Sequence, residues 1–219
     1  MSRVRPPRRM MRGMLTLYYA PGTCALATHL ALEYAGAPYQ TERLDFGSGK
    51  QRSPAYLEIN PKGRVPTLVT EHGPLTETPA LLLYVAQCFP AANLAPLDNP
   101  FLLAKAQAFN SYLCATVHVN HAHGRRAARW ADDPAAQAAM RAKVPQTMAE
   151  SFELIEQQLF AGPWVLGEQF SICDPYLFTL SGWLKVDQVD IERFPQVAAH
   201  RRRMEADPRV QKVLSAHTG

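Results

Sequence analysis

The chain has 219 residues, 47% of them hydrophobic, enough for one large domain or two small ones around a sizeable core. It has no run of about 18 apolar residues, which excludes a membrane-spanning helix. Its four cysteines, Cys24, Cys88, Cys114 and Cys173, form no C-x-x-C pair, which argues against a disulfide scaffold or a cysteine-based zinc site and fits a reducing cytoplasm.

The formal net charge of +4 is set by the first 13 residues, MSRVRPPRRMMRG, which hold five arginines and no acid; without them the body stands at −1. The basic balance is therefore a poor argument for a nucleic-acid partner. Residues 1–13 read as a disordered basic arm ahead of a chain whose functional start is Met14, and they lack the apolar stretch of a secretory signal.

From Leu15 the pattern changes. Leu15, Leu17 and Tyr19 alternate with Thr16 and Tyr18 as in a strand, Ala20-Pro21-Gly22 turns, and Leu26, Leu30 and Tyr34 continue at helical period until Gly36. Thr23 and Cys24 then fall at or beside a helix N-cap, where free backbone N–H groups and the helix dipole favour negative charge and lower a thiol pKa. The other reading is a small, half-buried apolar cysteine. Ala27 stands where a dithiol oxidoreductase needs its resolving cysteine, so thiol exchange would need a thiol from elsewhere, most simply a small molecule.

A short strand is expected over Tyr39–Leu44, followed by a polar, flexible loop over Asp45–Pro54. The sequence NPKGRVP at 60–66 leads into a strand beginning at Thr67, with Val65 held extended by Pro66. A cis Val65–Pro66 bond would open the Val65 backbone to an extended ligand; a trans proline at a strand edge is the commoner event. After a turn at Glu71-His72-Gly73 and a return strand, TETPALLLYVAQCF reads as a helix with Thr78 as N-cap and Pro79 at its first position. That helix start suits a carboxylate, and Glu77 beside it suits an ammonium, so together they would hold an amino-acid zwitterion. Alternatively, Glu77 only complements the helix dipole.

With YYAPGTC, NPKGRVP, LTETPA and FSICDPYLF in order, the chain from Met14 onward resembles the cytosolic glutathione transferase superfamily, and is most similar to its bacterial beta class. The resemblance implies an α/β thioredoxin-like domain over 14–93, an all-helical domain over 100–219, and a homodimer. It implies glutathione as co-substrate and a small electrophile as the second substrate. Cys24 takes the place of the cysteine facing the glutathione sulfur. Val65 and the cis-proline Pro66 take the cysteinyl part, and Glu77 and Thr78 the γ-glutamyl end. His118 takes the place of a histidine that reaches the site from the helical domain. Val119 follows it where a lysine is usual, and Ser111, next to Asn110, precedes it by seven where asparagine is usual, so thiol activation is expected either to be weaker or to be supplied by Arg125, Arg126 or another group.

Ser111, Cys114, His118 and Arg125 are spaced as one face of the helix from Pro100. His118 and His121 without a third ligand make a poor metal site. Arg125, Arg126 and Arg129 read either as a solvated face or as the mouth of a pocket for an acidic substrate, and Trp130 reads as packing. Tyr19, Ala20, Val119 and Trp130 are candidates for the second-substrate pocket. Ser171 and Asp174 form an S-x-x-D capping box, and Cys88 and Cys173 read as core. The expected activity is glutathione conjugation, or monothiol disulfide exchange through Cys24. The alternative is a binding or regulatory protein that keeps the fold without catalysis.

Overall fold

The computed structural model describes residues 13–218, so the basic arm lies outside the described residues except for Gly13. Strand β1 (Leu15–Tyr19) follows its alternation, with Leu15, Leu17 and Tyr19 buried. Helix α1 (Ala25–Tyr34) starts from Cys24 as N-cap and ends at Gly36, whose φ of 60° is the left-handed turn expected there. Strand β2 (Tyr39–Arg43) pairs parallel to β1, as a crossover through α1 requires.

Helix α2 (Pro54–Ile59) has no counterpart in the expected elements. Six residues with only Tyr56 buried carry too little periodicity to be seen in sequence. Ser53 caps it by accepting from Tyr56 N, and the Tyr56 and Asn60 side chains both donate to Arg64 O and bond Thr67 Oγ1. The loop between Asn60 and Thr67 is thereby fastened from below. Strands β3 (Thr67–Thr70) and β4 (Gly73–Thr76) complete a mixed sheet of order β2-β1-β3-β4, with β3 antiparallel to both neighbours.

Helix α3 (Thr78–Cys88) departs from the expected cap. Glu77, at φ 72°, is the N-cap residue, and Thr78 is the first helical residue, buried. A positive φ at a non-glycine residue is a strained conformation that the surroundings must hold in place, and it is found preferentially at functional sites.

The second half is helical: α4 (Pro100–Tyr112), α5 (His118–Arg125), α6 (Pro134–Leu154), α7 (Cys173–Ser181), α8 (Pro195–Glu205) and α9 (Pro208–His217). Every residue of α7 is buried. Helix α1 packs against α3, α7 and α9, so its non-polar surface all round is explained by its place between the sheet and the helical half. The larger of two apolar clusters among the described residues runs through both halves, from Leu17 and Leu68 to Phe152 and Tyr176, and a smaller one joins Leu30 to Phe178, Met204, Val210 and Val213. The architecture is a thioredoxin-like sheet domain followed by an all-helical domain. No described helix is long and apolar enough to cross a membrane.

The Ser171–Asp174 box is built as expected and extended. Asp174 Oδ2 accepts from Ser171 N and Oγ, Ser171 Oγ accepts from Cys173 N, and Asp174 Oδ1 accepts from Val165 N and faces His200 Nε2 at 3.1 Å.

Between α4 and α5 the chain makes a π-helical turn at Leu113–Val117. Its extra residue rotates α5 relative to α4, so one face in the sequence becomes two in space. Ser111 is therefore exposed, while Cys114 and His118 turn inward.

Candidate active site

A cleft between the sheet domain and α5 has two chambers that meet at Cys24, Arg64, Val65, His118, Ala122 and Arg129. The first, of about 370 Å³, is walled by Thr23, Arg52, Gly63, His121, Arg125, Arg126 and Trp183. The second, of about 300 Å³, is walled by Lys62, Pro66, Glu77, Thr78, Cys114, Val119 and Tyr176.

Cys24 is buried at the junction, with its Sγ donating to Val65 O at 3.6 Å. Burial pushes its thiol up to about 11. The Thr78 hydroxyl hydrogen bond and the charge of Arg126 oppose this, but desolvation exceeds them. The thiolate expected from the helix N-terminus is therefore not the resting form; Cys24 is a neutral S–H donor. His118 is likewise held down to about 4, first by burial and then by the nearby charges of His121, Arg126, Arg129 and Arg64. It is neutral at pH 7 and supplies no cation. The cations of the first chamber are arginines.

The Val65–Pro66 bond is cis, and Val65 lines both chambers. Its C=O accepts from Cys24, and its N–H makes no hydrogen bond to any described residue. In the second chamber Lys62 Nζ donates to Glu77 Oε1 at 2.6 Å and to Thr76 Oγ1 at 2.5 Å, which fixes the carboxylate beside the start of α3. Gly63 sits at φ 58°, and a Cβ there would meet Gln51 O at 2.8 Å, so glycine lets the Lys50–Arg52 turn close onto the cis-proline loop. That contact carries Arg52 into the first chamber.

Residues 13–87 match the family described as Glutathione S-transferase, N-terminal domain, and residues 121–217 match Glutathione S-transferase, C-terminal domain. A crystal structure of a glutathione transferase homolog from Sulfitobacter with bound glutathione is 45% identical, with a TM-score of 0.90, over 93% of this chain and 98% of that one. The chain belongs to the glutathione S-transferase family. Glutathione S-transferase GstA from Escherichia coli O157:H7 is 28% identical over 92% of this chain and 98% of its own length. The bacterial beta class glutathione S-transferase of Sphingomonas chungbukensis is 28% identical with a TM-score of 0.79, over 93% of this chain and 98% of that one.

Within this glutathione S-transferase fold, Cys24, Val65, Pro66, Glu77, Thr78 and His118 all line the cleft. Ser111 lines neither chamber, because the π-helical turn takes it to the surface. Tyr19 and Ala20 are buried away from the cleft, and Tyr19 Oη donates to Ala216 O at 2.9 Å, so neither belongs to a second-substrate pocket. Val119 lines the second chamber. Trp130 is not packing: it is 45% exposed at that chamber's mouth, edge-on to His123.

Arg52, Arg64 and Trp183 have no signal in the sequence, coming from a polar turn, a loop and a distant helical segment. Trp183 stacks on His121 at 4.3 Å and meets His118 edge-on at 5.0 Å, while Asp187 holds His121 Nδ1 at 2.7 Å. His121 is thus anchored as a wall. Among the described residues no group of three or more His, Cys, Asp or Glu is arranged to hold a metal ion.

Proposed function

We propose that the protein is a beta-like glutathione transferase that joins glutathione to small electrophiles. Residues 14–93 would form its glutathione-binding domain, residues 100–219 its helical domain, and two copies its working unit. The observation that carries the reading is Cys24 at the meeting point of the two chambers, next to the free Val65 N–H on one side and the Glu77–Thr78 helix start on the other.

A γ-glutamyl group brings one ammonium and one carboxylate. Glu77 answers the first, and Lys62 with the α3 start answers the second. A cysteinyl backbone answers the open Val65 N–H, and its sulfur then faces Cys24 and His118. The glutathione thiol must lose its proton to attack. The charges of Arg64, Arg126 and Arg129 favour the resulting thiolate, and the Cys24 S–H is a donor within its reach.

Because Cys24 is held protonated, this reading favours conjugation over disulfide exchange through Cys24 as the main reaction. On α4, Phe101 and Leu102 are exposed and give apolar surface for the homodimer.

The test is glutathione-dependent conjugation of a neutral chloronitroaromatic, alongside retention on immobilised glutathione with elution by free glutathione. Retention with turnover is the expected result. Retention without turnover on a broad electrophile panel would leave a binding protein, and failure to be retained would remove the glutathione reading.

A further inference from the structure

The first chamber is charged out of proportion to glutathione. Arg52, Arg64, Arg125, Arg126 and Arg129 line it, and no Asp or Glu does. None of the five guanidinium groups is hydrogen-bonded or ion-paired to another described residue. Elsewhere several long cations do pair with carboxylates: Arg201 with Glu205, Arg202 with Glu192, Arg209 with Asp207 and Lys212 with Glu33.

The five come from three stretches, the Lys50–Arg52 turn, the loop before β3, and the end of α5 with the turn after it. They feel one another. Arg129 is made more acidic by burial first and then by Arg126, Arg64 and Arg52. Bringing like charges together from separate elements costs stability, and a ligand bearing negative charge offsets that cost.

Glutathione alone does not balance the cluster. Its γ-glutamyl carboxylate is met in the other chamber, which leaves one glycyl carboxylate and the sulfur against five guanidiniums. We infer, resting on the glutathione reading above, that the second substrate is itself a carboxylate-bearing electrophile bound by Arg125, Arg126 and Arg129 against Trp183. Arginine pairs with carboxylates through two parallel N–H donors, and Trp183, held by its stack on His121, gives the chamber an apolar wall for the rest of the molecule. With an unsaturated carboxylate, the glutathione thiol gives its proton to water and a sulfur lone pair forms the S–C bond at the β-carbon. The displaced π electrons move to the α-carbon, which takes a proton from water. No oxidant or reductant enters.

The experiment is calorimetric titration of the full chain with S-benzylglutathione and with S-(4-carboxybenzyl)glutathione, which differ only by the carboxylate. The expected result is at least about tenfold tighter binding of the carboxylated conjugate. That advantage should shrink as salt rises from about 0.05 M to 0.5 M. It should fall below about threefold in Arg125→Gln/Arg126→Gln and in Arg129→Gln, with folding checked by circular dichroism. Equal affinities in the unmodified protein, or an advantage that survives both variants, overturn the inference and leave the glutathione reading standing. If neither conjugate binds, the glutathione reading falls and takes the inference with it.

Discussion

The Cys24 thiol donates to the Val65 carbonyl across 3.6 Å, tying the start of α1 to the loop that carries Pro66. The burial of the thiol at this contact sets the reactive character of the cleft, because a thiol taken out of water has little tendency to ionise.

The first prediction concerns that ionisation. Cys24 alkylation by iodoacetamide should rise with pH towards a midpoint near 11, since burial raises the thiol to about 11. At pH 7 the thiolate fraction is then about one in ten thousand. A midpoint below about 8 would show that the helix N-terminus outweighs burial.

The second follows from a thiol that sequence spacing hides. Ala27 leaves no resolving cysteine on α1, but Cys114 lines the same chamber as Cys24. Disulfide exchange should fall by about tenfold in Cys24→Ala, a barrier of about 1.4 kcal/mol, and the remainder should vanish in Cys24→Ala/Cys114→Ala. Conjugation should stay within about tenfold in Cys24→Ala, because there the nucleophile is the glutathione sulfur. Rate assays for both reactions decide this, and full exchange activity in the double variant would remove both thiols from the chemistry.

How much of this was legible without coordinates varies by residue, for physical reasons. Cys24, Val65, Glu77 and Thr78 stand out because each sits at a local signal: a strand–turn–helix, an X-Pro step, a helix start. The single face expected of Ser111, Cys114 and His118 divides in space, because the π-helical turn at Leu113–Val117 leaves no mark on the apolar pattern. Of the two readings open for Cys24, the buried cysteine wins over the activated one, because a helix N-terminus is visible in sequence and the burial that raises the thiol is not. Arg52 and Arg64 reach the cleft only because Gly63 lets two loops touch, a tertiary fact. Strand order and the packing of α1 against α3, α7 and α9 are tertiary facts that no local pattern carries.

The third prediction is acid sensitivity at the C-terminal helix. His29 Nδ1 and His217 Nε2 lie 3.1 Å apart between Tyr19 and Tyr39, joining α1 to α9. Burial lowers both histidines to about 4; Glu33 pulls His29 upward, while Lys212 pushes it down and Arg43 pushes His217 down. A histidine depressed in the folded state takes up its proton more readily when unfolded, so its stabilising share is complete above pH 6.5 and is lost as pH falls from 6.5 to 4. Thermal midpoints of the wild type should drop more steeply across that window than those of His217→Gln. Parallel curves would contradict this.

The fourth is that Asp174 is more than a cap. It is fully buried and serves Ser171, Val165 and His200 at once. Asp174→Ala should destabilise by about 3–5 kcal/mol in urea unfolding, as expected for removing one member of a buried polar pair. A loss of about 1 kcal/mol would reduce it to an ordinary helix cap.

The account as a whole turns on where a glutathione molecule lies. A crystal structure of the full chain grown with glutathione tests this most directly. The sulfur is predicted beside Cys24 and His118, the cysteinyl carbonyl accepting from Val65 N, and the γ-glutamyl end on Glu77 and Thr78. Glutathione with its sulfur remote from Cys24, or a cleft left without the tripeptide at saturating concentration, would contradict the account.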